Sequence, residues 1–369
     1  MIYLDNGATS FHKPPAVYRA VLDAMRSCAN PGRGGYQAAM AASRKLYGCR
    51  EEASKLFDCQ PQQVVLTTSC THGLNIAIKS LVKAGDRVLI SGFEHNAVTR
   101  PLHALGVRIT VAGRKLFDWD NMLSEWEAAL KQGQDAAIFT HVSNVFGYVL
   151  PVRQMAELCR RYGVPFILDA AQSAGTLPVS LKDLGAAFIA MPGHKGLLGP
   201  QGTGILLCSG ETQPLLQGGT GSESVNQEMP EYLPDRLESG TMNVPGFAGL
   251  REGLRYLSRH GVEFIGIREH HQLKACVEGL KDLGMHVFSG PHQASSVSFL
   301  TGCDCEEAAE LLARQGIAVR AGLHCAPLAH ESAGTIRTGT VRVSFGYDCS
   351  AAETCGFLRA ASKLPPVLK

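Results

Sequence analysis

Three apolar runs of the chain end in polar groups suited to catalysis. The run 164–168 leads into Asp169-Ala170-Ala171-Gln172, the run 186–191 into Pro192-Gly193-His194-Lys195-Gly196, and the run 136–140 into His141-Val142-Ser143-Asn144. If these runs are neighbouring strands of a parallel sheet, their C-terminal ends line one crevice. A lysine amine there can form a Schiff base with an aldehyde, and an aspartate can hold a protonated pyridine nitrogen. Together they make the protein side of pyridoxal-phosphate (PLP) chemistry. A surface salt bridge is the plainer alternative for Asp169 and Lys195.

A phosphate would find backbone N–H groups and hydroxyls in Thr67-Thr68-Ser69-Cys70-Thr71-His72-Gly73, which follows a strand pattern and opens a helix. Ordinary capping by Ser or Thr is the commoner use of such a stretch. Residues 320–326 read Arg-Ala-Gly-Leu-His-Cys-Ala. An arginine there suits bidentate capture of a carboxylate, and Cys325 on a glycine-containing loop can serve as a nucleophile. A small buried residue is the ordinary alternative for a cysteine. Arg342 falls inside a strand pattern, so it is either paired or a substrate ligand.

Composition narrows the classes. The 369 residues carry 35 Lys plus Arg against 33 Asp plus Glu, with no basic stripe, so no nucleic-acid partner is expected. Hydrophobic residues make up 45%, enough for a large core. No apolar run approaches the length of a membrane span. The segment Met1-Ile2-Tyr3-Leu4-Asp5-Asn6 lacks the pattern of a secretory signal, so the expected location is cytoplasmic. Twelve scattered cysteines without a C-x-x-C pair read as free thiols. No metal site is expected: H-E-x-x-H is absent, and the adjacent His270 and His271 point to different helix faces.

The elements that must position these groups alternate. Strands are expected at 64–67, 87–91, 107–111, 136–141, 164–168, 186–191 and 203–208, with helices at about 71–83, 120–132 and 152–162. Near-continuously apolar strands alternating with helices predict βαβ units and a mostly parallel, doubly wound sheet. Helices are expected at 14–28, where Pro14-Pro15 suits a helix start, and at 36–57. Beyond about 250 comes a long helical stretch broken near His260-Gly261. Strands at 295–300, 317–320 and 341–345 and helices at 305–315 and the C-terminal end follow. The fold class is therefore α/β, with a large domain over 15–250 and a smaller α+β unit formed by 1–14 and 251–369.

With these motifs in place, the chain resembles the class V, fold-type I PLP enzymes, and among them the cysteine desulfurases and selenocysteine lyases. The likeness runs from Tyr3-Leu4-Asp5-Asn6-Gly7-Ala8-Thr9-Ser10 to Arg342. The short loop ending His324-Cys325-Ala326 resembles the second group of desulfurases. The resemblance implies a role for each residue. Lys195 would hold the PLP cofactor and later shuttle a proton. Asp169 would pair with the ring nitrogen, Gln172 with the ring oxygen, and His95, in Glu94-His95-Asn96-Ala97, would stack on the ring. Cys70 and Thr71, with His194, would anchor the phosphate. Thr241 would reach the phosphate of a neighbouring subunit, which implies a homodimer. Asn144 and Arg342 would hold the substrate carboxylate, with Arg320 beside them, and Cys325 would accept sulfur.

The implied substrate is L-cysteine or L-selenocysteine, and the implied acceptor of the persulfide is a protein or a small thiol. Transamination or β-elimination is the alternative within the family. One departure concerns the phosphate. The group usually places serine two residues before the histidine of the lysine motif, and Pro192 stands there instead. Ser69 and Ser222 are the candidate replacements.

Overall fold

The structure, a computed structural model, describes residues 1–32 and 34–367. A seven-stranded sheet forms its centre. In spatial order its strands are Val64–Thr67, Gly204–Cys208, Phe188–Pro192, Phe166–Asp169, Ala136–Thr140, Arg87–Ser91 and Arg108–Ala112. Gly204–Cys208 is antiparallel to both of its neighbours, and the other strands run one way. Both faces are covered. Ala137 and Phe139 face one apolar layer, while Ala136 and Ile138 face the other. Burial on both sides is why these strands read as unbroken apolar runs. The edge strand Arg108–Ala112 shows the contrast, opening with two exposed residues.

The helices that cover the sheet include Pro15–Ser27, Gln37–Leu56, Cys70–Leu81, Asn96–Leu105, Trp119–Lys131 and Val152–Arg161. Most lie within two residues of their expected positions. Asn96–Leu105 had no counterpart in the sequence reading, because Pro101 sits in its interior and breaks the helical pattern. The long stretch beyond it is two helices, Val244–His260 and Val262–Asp282. Gly261 joins them at φ 84°, a conformation that side chains resist.

Residues beyond 282 build a four-stranded antiparallel sheet ordered Arg320–Gly322, Thr340–Ser344, Ser296–Leu300, His286–Phe288. The expected strand at 317–320 is in fact two. Ile317–Ala318 pairs in parallel with Ile2–Tyr3, and Arg320–Gly322 turns away to pair with Thr340–Ser344. One chain segment thus serves two sheets, and Val319 is the bend between them. The cluster of Leu4, Leu273, Val297, Phe299, Val343 and Phe357 forms this unit's own core, which includes a residue from the N-terminal segment. Among the described residues, no helix is long and apolar enough to cross a membrane.

Candidate active site

The strands Phe188–Pro192, Phe166–Asp169 and Ala136–Thr140 are neighbours, so their C-terminal ends meet. They bring Lys195, Asp169 and Asn144 to one cavity, together with Cys70, Thr71, His95, Gln172 and His194. Asp169 is buried at 3% exposure. Its Oδ1 accepts the Ala171 N–H at 2.9 Å and faces the Cys70 thiol at 3.6 Å. Burial raises its carboxyl above the ordinary range, an effect that the Ala171 N–H and the Lys195 charge offset only in part. Burial, and then the nearby Arg342 charge, lower the Lys195 ammonium. A buried amine held below its usual range is primed to act as nucleophile and base.

One end of the cavity suits an anion. Ser69 caps the helix Cys70–Leu81 by accepting the His72 N–H at 3.1 Å. The N–H groups of Cys70 and Thr71 have no partner among the described residues, and both residues line the cavity. Ser69 and Pro192 also line it, whereas Ser222 donates to Asp235 at 2.7 Å. Of the two serines, Ser69 is therefore the hydroxyl at the cavity where Pro192 provides none. The buried amine, the acid and the free helix N-terminus together fit PLP: a Schiff-base lysine, a partner for a pyridine nitrogen and a phosphate seat.

Two histidines also line the cavity. His95 caps the helix Asn96–Leu105, its Nδ1 accepting the Ala97 N–H at 2.9 Å. That bond assigns the proton of the neutral ring to Nε2. Burial and the Lys195 charge push its pKa down to about 4, so the ring is neutral at neutral pH. His194 is likewise pushed to about 4 by burial, and its Nδ1 lies 3.0 Å from the Thr9 hydroxyl. Next to His95, Glu94 is fully buried. Its Oε1 accepts from the Ser91 hydroxyl and from Thr140 N–H, tying two strand ends together, and burial raises its pKa to about 8.

Arg342 lies just behind Asn144. Its Nη1 donates to the Asn144 carbonyl at 2.7 Å, and its Nη2 donates to Asp5 Oδ1 at 2.7 Å. Asp5 Oδ2 also faces Arg320 at 4.0 Å. Arg342 is therefore paired; it is 2% exposed and lies behind the cavity wall without lining the cavity itself. Cys325 is one of two exposed cysteines, with Cys355, among the twelve free thiols. Its loop is bound to the cavity wall: Asn144 Nδ2 donates to the His324 carbonyl at 2.7 Å, and Asn96 N–H to the Cys325 carbonyl at 2.8 Å.

The segment 5–13 holds the lysine loop from the outside. The Ser10 hydroxyl donates to the carbonyls of His194 and Lys195 at 3.1 Å, and Lys13 Nζ donates to the His194 carbonyl at 3.0 Å. Burial lowers Lys13 to about 8. Gln172 Nε2 donates to the Gly7 carbonyl at 3.0 Å. The motif at residues 3–10 and the stretch Glu94-His95-Asn96-Ala97 carry no local signal for these roles of Asp5, Ser10, Lys13 or Glu94. Their partners lie up to 337 positions away, and no local pattern announces them.

Thr241 does not reach the Lys195 cavity of its own chain. It lines a separate cleft with Thr68 and His72. The segment is anchored by Glu238, which takes Arg50 in a bidentate pair at 2.6 Å on each oxygen and also accepts the Leu66 N–H. Among the described residues, no three His, Cys, Asp or Glu side chains converge to hold a metal ion.

The chain matches the model of the aminotransferase class-V family over residues 2–354. It is 32% identical to the probable cysteine desulfurase of Methanothermobacter thermautotrophicus over 361 residues, covering 91% of this chain and 89% of that protein. It is 30% identical to the probable cysteine desulfurase of Pyrococcus abyssi, covering 100% and 95%. The solved apo structure of the cysteine desulfurase from Thermococcus onnurineus NA1 superposes with a TM-score of 0.90 at 31% identity, covering 98% of this chain and 94% of that one.

Proposed function

Because the chain belongs to the aminotransferase class-V family, we propose that it is a PLP-dependent cysteine desulfurase. It takes sulfur from L-cysteine, leaves it as a persulfide on Cys325 and releases L-alanine. The observation that carries this reading is the pairing of a buried Lys195–Asp169 cavity with an exposed cysteine whose loop is bonded to that cavity's wall.

Each residue has a task. The N–H groups of Cys70 and Thr71 and the Ser69 hydroxyl hold the phosphate, Asp169 the ring nitrogen, and Gln172 the ring oxygen. His95 covers the ring as a neutral imidazole. Arg342 and Asn144 receive the substrate carboxylate, with Arg320 at the same wall. When bound, PLP supplies an electron sink for charge developing at the substrate α-carbon. Lys195, freed as an amine, takes the α-proton on Nζ and returns it. The Cys325 thiolate attacks the substrate sulfur, the S–Cβ bond breaks with its electron pair going to Cβ, and Cβ gains a proton. The exposed persulfide then passes to an acceptor protein or a small thiol, in the cytoplasm.

The working unit in this reading is a homodimer. Tyr18, Leu22 and Met25 form one exposed stripe on the helix Pro15–Ser27, and Met40 and Tyr47 lie exposed on Gln37–Leu56. An apolar patch of this kind marks a contact surface. In this reading Thr241, which lines a cleft outside the Lys195 cavity of its own chain, serves a second copy. In this reading residues 15–250 form the large unit and 1–14 with 251–369 the small one, although Leu254, Leu257 and Ile265 of the second stretch pack into the core of the large sheet.

The test is PLP-loaded protein with L-cysteine and a reductant, measuring alanine and sulfide together. Equal, catalytic amounts are expected. Absence of alanine overturns the assignment of substrate, and selenocysteine is the compound to try next. The Cys325→Ala variant is expected to keep the PLP absorbance and lose sulfide release.

A further inference from the structure

The loop that carries the nucleophile is fastened to a side chain facing the cavity. Asn144 is 9% exposed and lines the Lys195 cavity, yet its Nδ2 donates to the His324 carbonyl at 2.7 Å. On the other side of the loop the Cys325 carbonyl is held by Asn96 N–H, one residue after His95. Between these two bonds His324 and Cys325 sit at φ 49° and 57°. Two consecutive left-handed residues with side chains persist only where the surroundings impose them. The loop's stem is buried, with His324 at 6% exposure and its Nε2 3.1 Å from the Thr340 carbonyl, while the Cys325 thiol is exposed. Asn144 is in turn fixed by Arg342, and Arg342 by Asp5.

We propose that Asn144 is a positioning residue for Cys325: its amide clasps the loop backbone, and the same amide couples occupancy of the carboxylate site to the placement of the thiol. The coupling rests on the desulfurase reading above; the clasp is a property of the apoprotein. An amide nitrogen carries two hydrogens. One is committed to His324, and the other is available to a carboxylate in the cavity. A ligand that turns the amide inward weakens the hold on His324, and by reciprocity a firm hold on His324 weakens the ligand.

Two measurements test this. In apoprotein, iodoacetamide labelling mapped by mass spectrometry reads the exposure of Cys325, with exposed Cys355 as the internal reference and hydrogen exchange over residues 322–326 alongside. Losing one hydrogen bond in Asn144→Ser or Asn144→Ala is expected to speed Cys325 labelling and loop exchange by about fivefold, with Cys355 unchanged. Unaltered Cys325 labelling in a folded variant overturns the clasp. Labelling of the seven buried cysteines marks a variant that has not folded, and the wild-type measurement then decides. That second measurement adds L-alanine to PLP-loaded wild-type protein, with binding followed by cofactor absorbance. Cys325 labelling is expected to shift on binding and not to shift in Asn144→Ser. Binding without any shift overturns the coupling. Wild-type alanine affinity in a variant whose loop is released would instead remove Asn144 from the carboxylate site and leave the clasp intact.

Discussion

The Lys195 cavity and the Cys325 loop sit side by side and are built in opposite ways. The cavity is lined by buried groups such as Asp169. Its groups project from three adjacent central strands, and burial is the chief cause that moves Asp169 up and Lys195, His95 and His194 down. The loop is exposed at its tip and held in an unfavourable backbone conformation by two hydrogen bonds. The difference matches the chemistry proposed for each. Proton transfer at carbon needs an environment preorganised and shielded from water. A sulfur carrier must meet substrate inside and acceptor outside, so it cannot be buried.

The sharpest contrast comes from one substitution on each side. Lys195→Ala is expected to lower alanine formation by about 10⁴-fold or more and to abolish covalent retention of the cofactor. Cys325→Ala should stop sulfide release as completely, yet shift stability by no more than about 0.5 kcal/mol, as an exposed loop position should. Denaturant unfolding alongside the assay separates the two, and a Cys325→Ala protein as unstable as a core variant would refute the contrast.

The framework behind the cavity should be costlier to disturb than the loop. Arg50→Ala leaves the buried Glu238 carboxylate without its partner. A loss of about 3–5 kcal/mol is expected, read as a lower urea midpoint at unchanged slope.

Acidity reports on the cavity and its surroundings. His95, His141, His194 and His330 are all pushed to about 4, chiefly by burial, while Glu94 and Glu269 are raised to about 8. The unfolded chain binds more protons at the histidines between pH 4 and 6.5, so stability falls as pH drops through that range. The folded chain binds more protons at the two glutamates between pH 4.5 and 8, so their contribution is lost as pH rises. Four histidines outweigh two glutamates below pH 6.5. A maximum in apoprotein Tm near pH 6.5 is expected, and a Tm still climbing at pH 8 would contradict it.

The smallest effect lies in the loop. Glycine accepts φ 57° without penalty, so Cys325→Gly should be about 1 kcal/mol more stable than Cys325→Ala. Equal midpoints for the two variants would mean that the backbone there is not held left-handed in solution.

The central sheet was legible because strands covered on both faces must be apolar throughout, and each expected strand of it lies within two residues of the observed one. The polar ends of three such strands also announced Asp169, Lys195 and Asn144. Illegible parts share one physical cause, dependence on distant partners. The edge strand His286–Phe288 has three residues and no distinctive pattern. The division at Val319 exists only because Ile2–Tyr3 claims one half of the run. Asp5 matters through Arg342, and Asn144 through His324. Thr241 was placed by family likeness alone, and the single chain sets it in a cleft of its own.

The strand Ile2–Tyr3 and the segment behind it have a consequence for how the molecule is made. Residues 2–10 hydrogen-bond to Ala318, Ser344 and the Lys195 loop. A ribosome adding about 5–20 residues per second delivers Ser344 many seconds after Ser10. Until Ile317–Ala318 is made, late in that interval, the first-made strand has no partner, and only the bonds to the Lys195 loop can hold the segment. The central sheet can condense from nearer neighbours while the catalytic corner stays open. Closure of that corner is then a late, long-range event, and slow for the same reason that non-local pairing is slow in general. A nascent chain arrested short of residue 344 should resist protease in its sheet and be cut between residues 5 and 13.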